Sequence, residues 1–203
     1  MSHNIDKIIY INLEKRQDRK CEIENELNRM GLKKYERFNA IEKELGPLGC
    51  CISHLEVLKL AKRNNYKNVL IMEDDFIFIV DKHTLEDRLN NFFCLEIPYD
   101  VCMLSYYIIQ SEETRYGGIR RVKEATTASG YIVNNHYFDK LINLLETARD
   151  NLEKTGQHWI YTNDRAWKNL QETDNWFYLE PRIGKQREGY SDNAKCYIQG
   201  NEY

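Results

Sequence analysis

Apolar positions along the chain follow two rhythms. Short continuous runs rich in β-branched and aromatic residues read as buried strands: Lys7–Leu13 (KIIYINL), Val69–Val80, Asp100–Leu104 (DVCML) and Trp176–Leu179. Lys34–Ala40 reads as a short further strand, and Thr127-Ala128-Ser129-Gly130 sets small residues directly before the β-rich Tyr131-Ile132-Val133. Those small side chains leave room for a ligand near a sheet or for a packed helix. Between the runs the apolar residues fall at helical spacing. Ile23, Leu27 and Met30 mark a helix over Arg19–Met30, with Asp18 as a cap and Gly31 as its stop. A long helix opens at Gly49 after a polar loop, Glu42–Leu48, and runs to about Asn65. Leu85, Leu89 and Phe92 predict one over Lys82–Phe93, and Phe138, Leu141, Ile142, Leu145 and Ala148 one over His136–Leu152. Tyr161–Trp167 starts another, capped by Thr162 or Asn163. Ser105–Thr127 reads as an irregular hairpin or a mobile loop, and 181–203 as a flexible polar tail.

Alternating strands and helices predict an α/β fold, an open sheet flanked by helices. A chain of 203 residues fits one domain with a core large enough to stand alone.

One strand breaks the pattern. In Val69-Leu70-Ile71-Met72-Glu73-Asp74-Asp75-Phe76-Ile77-Phe78, three carboxylates are set into an apolar run. Burial of such acids costs several kcal/mol unless a cation compensates them. The carboxyl end of a strand in an open α/β sheet is where ligands bind, and hard oxygen ligands favour Mn²⁺ or Mg²⁺. The acids therefore point to a divalent metal and a nucleotide diphosphate. Asn12, Arg16 and Arg19 follow the first strand, where a guanidinium fork suits a ribose or a pyrophosphate. Gly49, Cys50, Ser53 and His54 stand at a helix start, which attracts anions. Asp164 in a first helical turn is explained by the macrodipole alone.

Charge narrows the partners. A net charge of −3 with interspersed signs gives no basic field for nucleic acid and no polybasic run for anionic lipid. The six cysteines lack metal-ligand spacing and read as reduced, mostly buried thiols of a cytoplasmic protein. No segment has the roughly 20 apolar residues that span a bilayer, and a peripheral visit to a membrane is compatible with the composition. The fourteen tyrosines and three tryptophans suit sugar recognition but serve cores more often.

INLEKRQDR, GCCISH, VLIMEDDF, TASGYIV, TNDRAW and KQREGYSD stand in this order along the chain. Together they resemble glycosyltransferase family 25, which includes bacterial lipooligosaccharide galactosyltransferases and the catalytic domain of procollagen galactosyltransferases. The resemblance implies a GT-A type, Rossmann-like mixed sheet and a UDP-sugar donor, usually UDP-galactose with UDP-glucose as the alternative. It also implies Mn²⁺ (or Mg²⁺) and inversion at the anomeric carbon. The acceptor it implies is a hydroxyl on a glycan, a lipid-linked glycan or a collagen-like hydroxylysine. The family's acids fall on Glu73, Asp74 and Asp75, with Asp75 the foremost metal ligand and Asp192 a further one. Its donor-binding positions fall on Asn12, Arg16, Arg19, Ser53, His54, Gln186 and Ser191, and its late aspartate, the catalytic base, on Asp164. Thr162 and Asn163 stand where the family often has proline and an apolar residue. Two rival readings keep the acids without the transfer: a non-catalytic nucleotide- or glycan-binding module, and a metal-dependent phosphoester hydrolase.

Overall fold

A computed structural model describes residues 4–198. The chain runs β1 (Lys7–Asn12), α1 (Gln17–Arg29), β2 (Tyr35–Asn39), α2 (Gly46–Arg63), β3 (Asn68–Glu73), β4 (Phe76–Phe78), α3 (Lys82–Cys94), β5 (Val101–Met103), β6 (Tyr107–Glu113), β7 (Ile119–Thr126) and β8 (Gly130–Asn134). It continues with α4 (Phe138–Thr155), three short helices α5 (His158–Tyr161), α6 (Asn163–Ala166) and α7 (Lys168–Thr173), then β9 (Trp176–Leu179), β10 (Gly184–Gln186), β11 (Gly189–Ser191) and β12 (Cys196–Ile198).

Eight strands form one mixed sheet in the order β2-β1-β3-β8-β5-β9-β7-β6. β1 pairs with β2 and β3 in parallel, and β8 enters antiparallel between β3 and β5. Because side chains alternate across a strand, β1 sends Ile9 and Ile11 to one core and Ile8 and Tyr10 to the other. The first core is closed by Leu55 and Leu58 of α2 and Leu141 and Leu145 of α4, the second by Ile23 and Leu27 of α1 and Leu85 and Leu89 of α3. Burial on both faces is why these strands lack polar alternation.

Several elements depart from the sequence reading. The apolar run over Val69–Val80 is two strands, broken by a turn at Asp74-Asp75 where the carboxylates leave the ladder. α2 begins at Gly46 rather than Gly49, since Pro47 in a first helical turn has no hydrogen bond to lose. Asp18 does not cap α1: it lies inside the first turn, and the cap position is Arg16. Gly31 does end that helix, with φ 70°. Of the two alternatives for Ser105–Thr127, the irregular hairpin holds: β6 pairs antiparallel with β7, with register shifts around Gln110. The helix expected from Tyr161 is split into α5, α6 and α7.

The stretch expected as a polar tail carries three strands within the described residues. β10 pairs antiparallel with β4, setting Gln186 opposite Phe76. Phe76 is held between two glycines: a Cβ on Gly130 would come 2.3 Å from its ring, and one on Gly184 2.2 Å. All six cysteines are free thiols, but only Cys51 and Cys102 are buried; Cys50 is half-buried, and Cys21, Cys94 and Cys196 are exposed.

Candidate active site

The carboxyl ends of β1, β2 and β3 open into a cleft of about 420 Å³. Glu73, Asp74 and Asp75 form part of its floor, and Asn12, Arg19, Ser53, His54, Gln186, Ser191 and Asp192 also line it. Ten of the twelve positions expected to serve one site, up to 180 residues apart in number, thus line one cavity; Arg16 and Asp164 do not.

Asp74 and Asp75 share a partner, and Glu73 takes a different one. Asp74 Oδ2 accepts a hydrogen bond from Asn12 Nδ2 at 2.7 Å, and its Oδ1 one from Arg19 at 3.1 Å. Asp75 Oδ2 accepts from the same Arg19 nitrogen at 3.1 Å and from Gln186 Nε2 at 2.9 Å. Asp75 Oδ1 is buried and has no partner. Burial, reinforced by the charges of Glu73 and Asp74, pushes the Asp75 carboxyl up to about 7. Burial likewise raises that of Asp74, against the opposing pull of Asn12 and Arg19.

Glu73 turns the other way. Its Oε1 lies 3.0 Å from His54 Nε2 and 3.7 Å from Cys50 Sγ. A carboxylate only accepts, so in the neutral ring Nε2 carries the hydrogen and Nδ1 takes that of the Tyr131 hydroxyl at 2.8 Å. Burial, then the neighbouring Glu73, holds the Cys50 thiol protonated well above its ordinary range. Cys50, His54 and Glu73 bring ligand atoms within 4.8 Å of one another, a softer donor set than the oxygens around Asp75.

The remaining predicted residues are distributed around this floor. Asn12 is nearly inaccessible, and its Oδ1 accepts from Arg37 Nε at 2.8 Å. Ser53 is committed locally, donating to the Gly49 carbonyl at 2.7 Å and accepting the Ile41 amide at 2.8 Å. Arg16 clasps Asp18 and Asp192, so Asp192 is tied to the rim rather than to the other acids. Ser191 Oγ accepts the Ala194 amide at 3.1 Å in the β11–β12 turn.

Asp164 is not among the residues lining this cleft. Its Oδ1 accepts from Thr162 Oγ1 at 2.9 Å and its Oδ2 from the Thr127 amide at 3.2 Å. Thr127 leads to Ser129, whose carbonyl accepts the Glu73 amide at 2.9 Å. The aspartate is therefore connected to the acids through the loop before β8, on the side of β3 away from β1.

Arg37 and Tyr131 are not among the site residues that the sequence predicts. Arg37 reaches Asn12 because β2 lies parallel to β1 with Asn12 opposite Asn39, a register that a one-strand pattern does not contain. Tyr131 reads in the sequence as part of a β-rich triplet, and only the pairing of β8 with β3 brings its hydroxyl to His54.

The family model described as glycosyltransferase family 25 (LPS biosynthesis protein) matches residues 44–155, more than half of the chain. The chain belongs to glycosyltransferase family 25. The match spans α2, the acids of the β3–β4 turn and the β8 strand that carries Tyr131. No curated protein matches the chain.

Solved structures agree with this family-25 chain in fold. A glycosyltransferase involved in the glycosylation of the major capsid of PBCV-1 aligns at TM-score 0.52 and 9% identity, covering 89% of this chain and 92% of that one. The galactosyltransferase LgtC, in complex with donor and acceptor sugar analogs, aligns at 0.51 and 10% identity, covering 93% and 91%. A197 from STIV aligns at 0.50 and 11%, covering 97% and 95%. The fold is a GT-A-like mixed α/β sheet flanked by helices, as the sequence reading expects. No helix among the described residues is long and apolar enough to cross a membrane.

Proposed function

We propose that this glycosyltransferase moves a hexose from a UDP-sugar, with galactose favoured over glucose, to a hydroxyl of a glycan, a lipid-linked glycan or a collagen-like hydroxylysine. In this reading residues 1–203 work as one transferase unit in the cytoplasm, at a membrane surface when the acceptor is lipid-linked.

The observation that carries the reading is the state of Asp75. One carboxylate oxygen is held by Arg19 and Gln186 while the other is buried and has no partner. A buried carboxylate oxygen left unpaired is costly, and a cation or a ligand donor is what would satisfy it. The donor set is hard oxygen, so it fits Mn²⁺ or Mg²⁺, held by Asp75 with Asp74 beside it. Glu73 would have to turn from His54, and Asp192 from Arg16, to join them. When bound, the ion supplies positive charge against the diphosphate leaving group.

The chain's own residues do the rest. Gln186 and Asn12 orient the two aspartates, and the cleft between the ends of β1 and β2 takes the nucleotide, with Arg16, Arg19, Ser53, His54 and Ser191 around it. Asp164 takes the proton of the acceptor hydroxyl, and inversion by single displacement needs such a base on the face opposite the diphosphate.

The test is release of UDP from UDP-galactose and UDP-glucose with Mn²⁺, by wild type and by Asp75→Asn. Release by wild type and its loss in the variant are expected. Equal rates would remove Asp75 from the chemistry, and nucleotide binding without release would recast the chain as a binding module. Phosphate release from simple esters would favour the hydrolase.

A further inference from the structure

Arg19 occupies the position between the two aspartates. Its Nη1 stands 3.1 Å from Asp74 Oδ1 and 3.1 Å from Asp75 Oδ2, and Nη2 donates to the Tyr190 carbonyl at 2.7 Å. All three side chains are nearly shut off from water, with 11 to 13% exposure. Two of the acids set into the apolar run, Asp74 and Asp75, thus share one cation, and it belongs to the protein.

A guanidinium cannot discharge by losing a proton, so it vacates the pair only by moving. A divalent ion and a guanidinium at the same two carboxylates repel each other strongly in so dry a place. Two other acids in the first turns of α1 are already engaged. Asp18 is engaged by Arg16 and Glu22 by Arg187. The partner that would draw it off is an incoming anion in the cleft, and a diphosphate matches the planar fork. Arg19 lies in the first turn of α1, so the side chain can swing with the backbone at rest.

We propose that Arg19 is an internal cation that excludes a divalent metal from Asp74 and Asp75 until a diphosphate draws the guanidinium away. Metal and nucleotide then bind as a coupled pair instead of independently, each tightening the other by the same factor. The inference rests on the reading of this cleft as a metal and UDP-sugar site. It makes Arg19 a positioning residue, acting on the acids before transfer begins.

The experiment is Mn²⁺ titration followed by the electron paramagnetic resonance of the free ion, together with UDP binding in EDTA, for wild type and Arg19→Met. The variant should bind Mn²⁺ alone about tenfold more tightly, within the usual range of roughly 5- to 150-fold for coupled sites. It should also bind metal-free UDP more weakly. These opposite shifts are what a merely structural arginine would not produce. If Arg19→Met binds Mn²⁺ no more tightly while wild type binds the ion with UDP, the inference fails and the proposed function stands. If neither protein takes up Mn²⁺, with or without UDP, the inference fails together with the metal reading. Should Arg19→Met not fold, Arg19→Lys serves: an ammonium cannot hold both carboxylates and the Tyr190 carbonyl as a fork does, so Mn²⁺ alone should bind more tightly than to wild type. Unchanged affinity there overturns the inference.

Discussion

Gln186 donates a 2.9 Å hydrogen bond to Asp75 Oδ2 across 111 positions of chain. The contact exists because β10 pairs with β4, and the Arg187 amide adds a 2.6 Å bond to the Asp75 carbonyl. Gln186 thereby fixes the orientation of the Asp75 carboxylate. Gln186→Ala should lower UDP release about tenfold, in line with losing a hydrogen bond to a charged group worth roughly 1.5 to 3 kcal/mol. The same bond also supports the fold, so the melting temperature should fall by a few degrees, while the backbone strand pairing keeps β10 in place. A full rate with Gln186→Ala would show that Asp75 needs no orientation from this strand.

Asp75 itself sets stability against use. A buried carboxyl pushed up to about 7 by burial and by two neighbouring acids is more easily housed as a neutral amide. Asp75→Asn keeps the shape and an acceptor for Gln186 or Arg19. The expected outcome is a higher melting temperature in metal-free buffer, alongside loss of UDP release. A lower melting temperature would mean that the Arg19 ion pair outweighs the repulsion among the acids.

The parts of this fold legible in the sequence are those whose burial is local and periodic. The apolar β1 and β3 runs and the helical stripe of α4 declare themselves because each is buried along its whole length. Three-residue strands such as β10 carry no period, and their pairing depends on a partner a hundred residues away. The same limit hid the chemistry of the site. That Glu73, Asp74 and Asp75 needed a cation was evident from their setting. That Arg19 would provide one required the first turn of α1 to lie against the β3–β4 turn, a tertiary fact. Gln186 and Asn12 were chosen as nucleotide contacts, and the structure adds that each touches an aspartate.

Far from the cleft, Asp174 joins α4 to the end of α7. It accepts from the Tyr137 hydroxyl at 2.5 Å and pairs with Lys140 at 2.5 Å, while Trp176 Nε1 donates to the Tyr137 oxygen at 3.1 Å. Partial burial alone would raise its carboxyl, but Lys140, Tyr137 and Thr173 hold it below the ordinary value of 3.8. A depressed folded value means stability that is present above pH 4 and lost as pH falls through the folded value. Asp174→Asn should therefore melt below wild type at neutral pH, and the gap should narrow in acid below about pH 4. Parallel thermal melts of both proteins from pH 7 to pH 3 check this, and a constant gap would count against the ion pair.

Asp164 admits a test that separates chemistry from architecture. Its carboxylate holds the amide of Thr127, a residue at φ 84°, in the left-handed region that non-glycine residues seldom adopt. Asparagine retains an oxygen to accept that amide but cannot take a proton from a sugar hydroxyl, whereas alanine can do neither. As a base, Asp164 should contribute about 10² to 10⁴-fold to turnover. Asp164→Asn should then lose about that factor in transfer while keeping UDP affinity and melting temperature, and Asp164→Ala should lose stability as well, since Thr127 is released beside the Ser129 carbonyl that holds Glu73. If Asp164→Asn transfers at the wild-type rate and only Asp164→Ala is impaired, the aspartate shapes the loop before β8 and the base must be sought elsewhere.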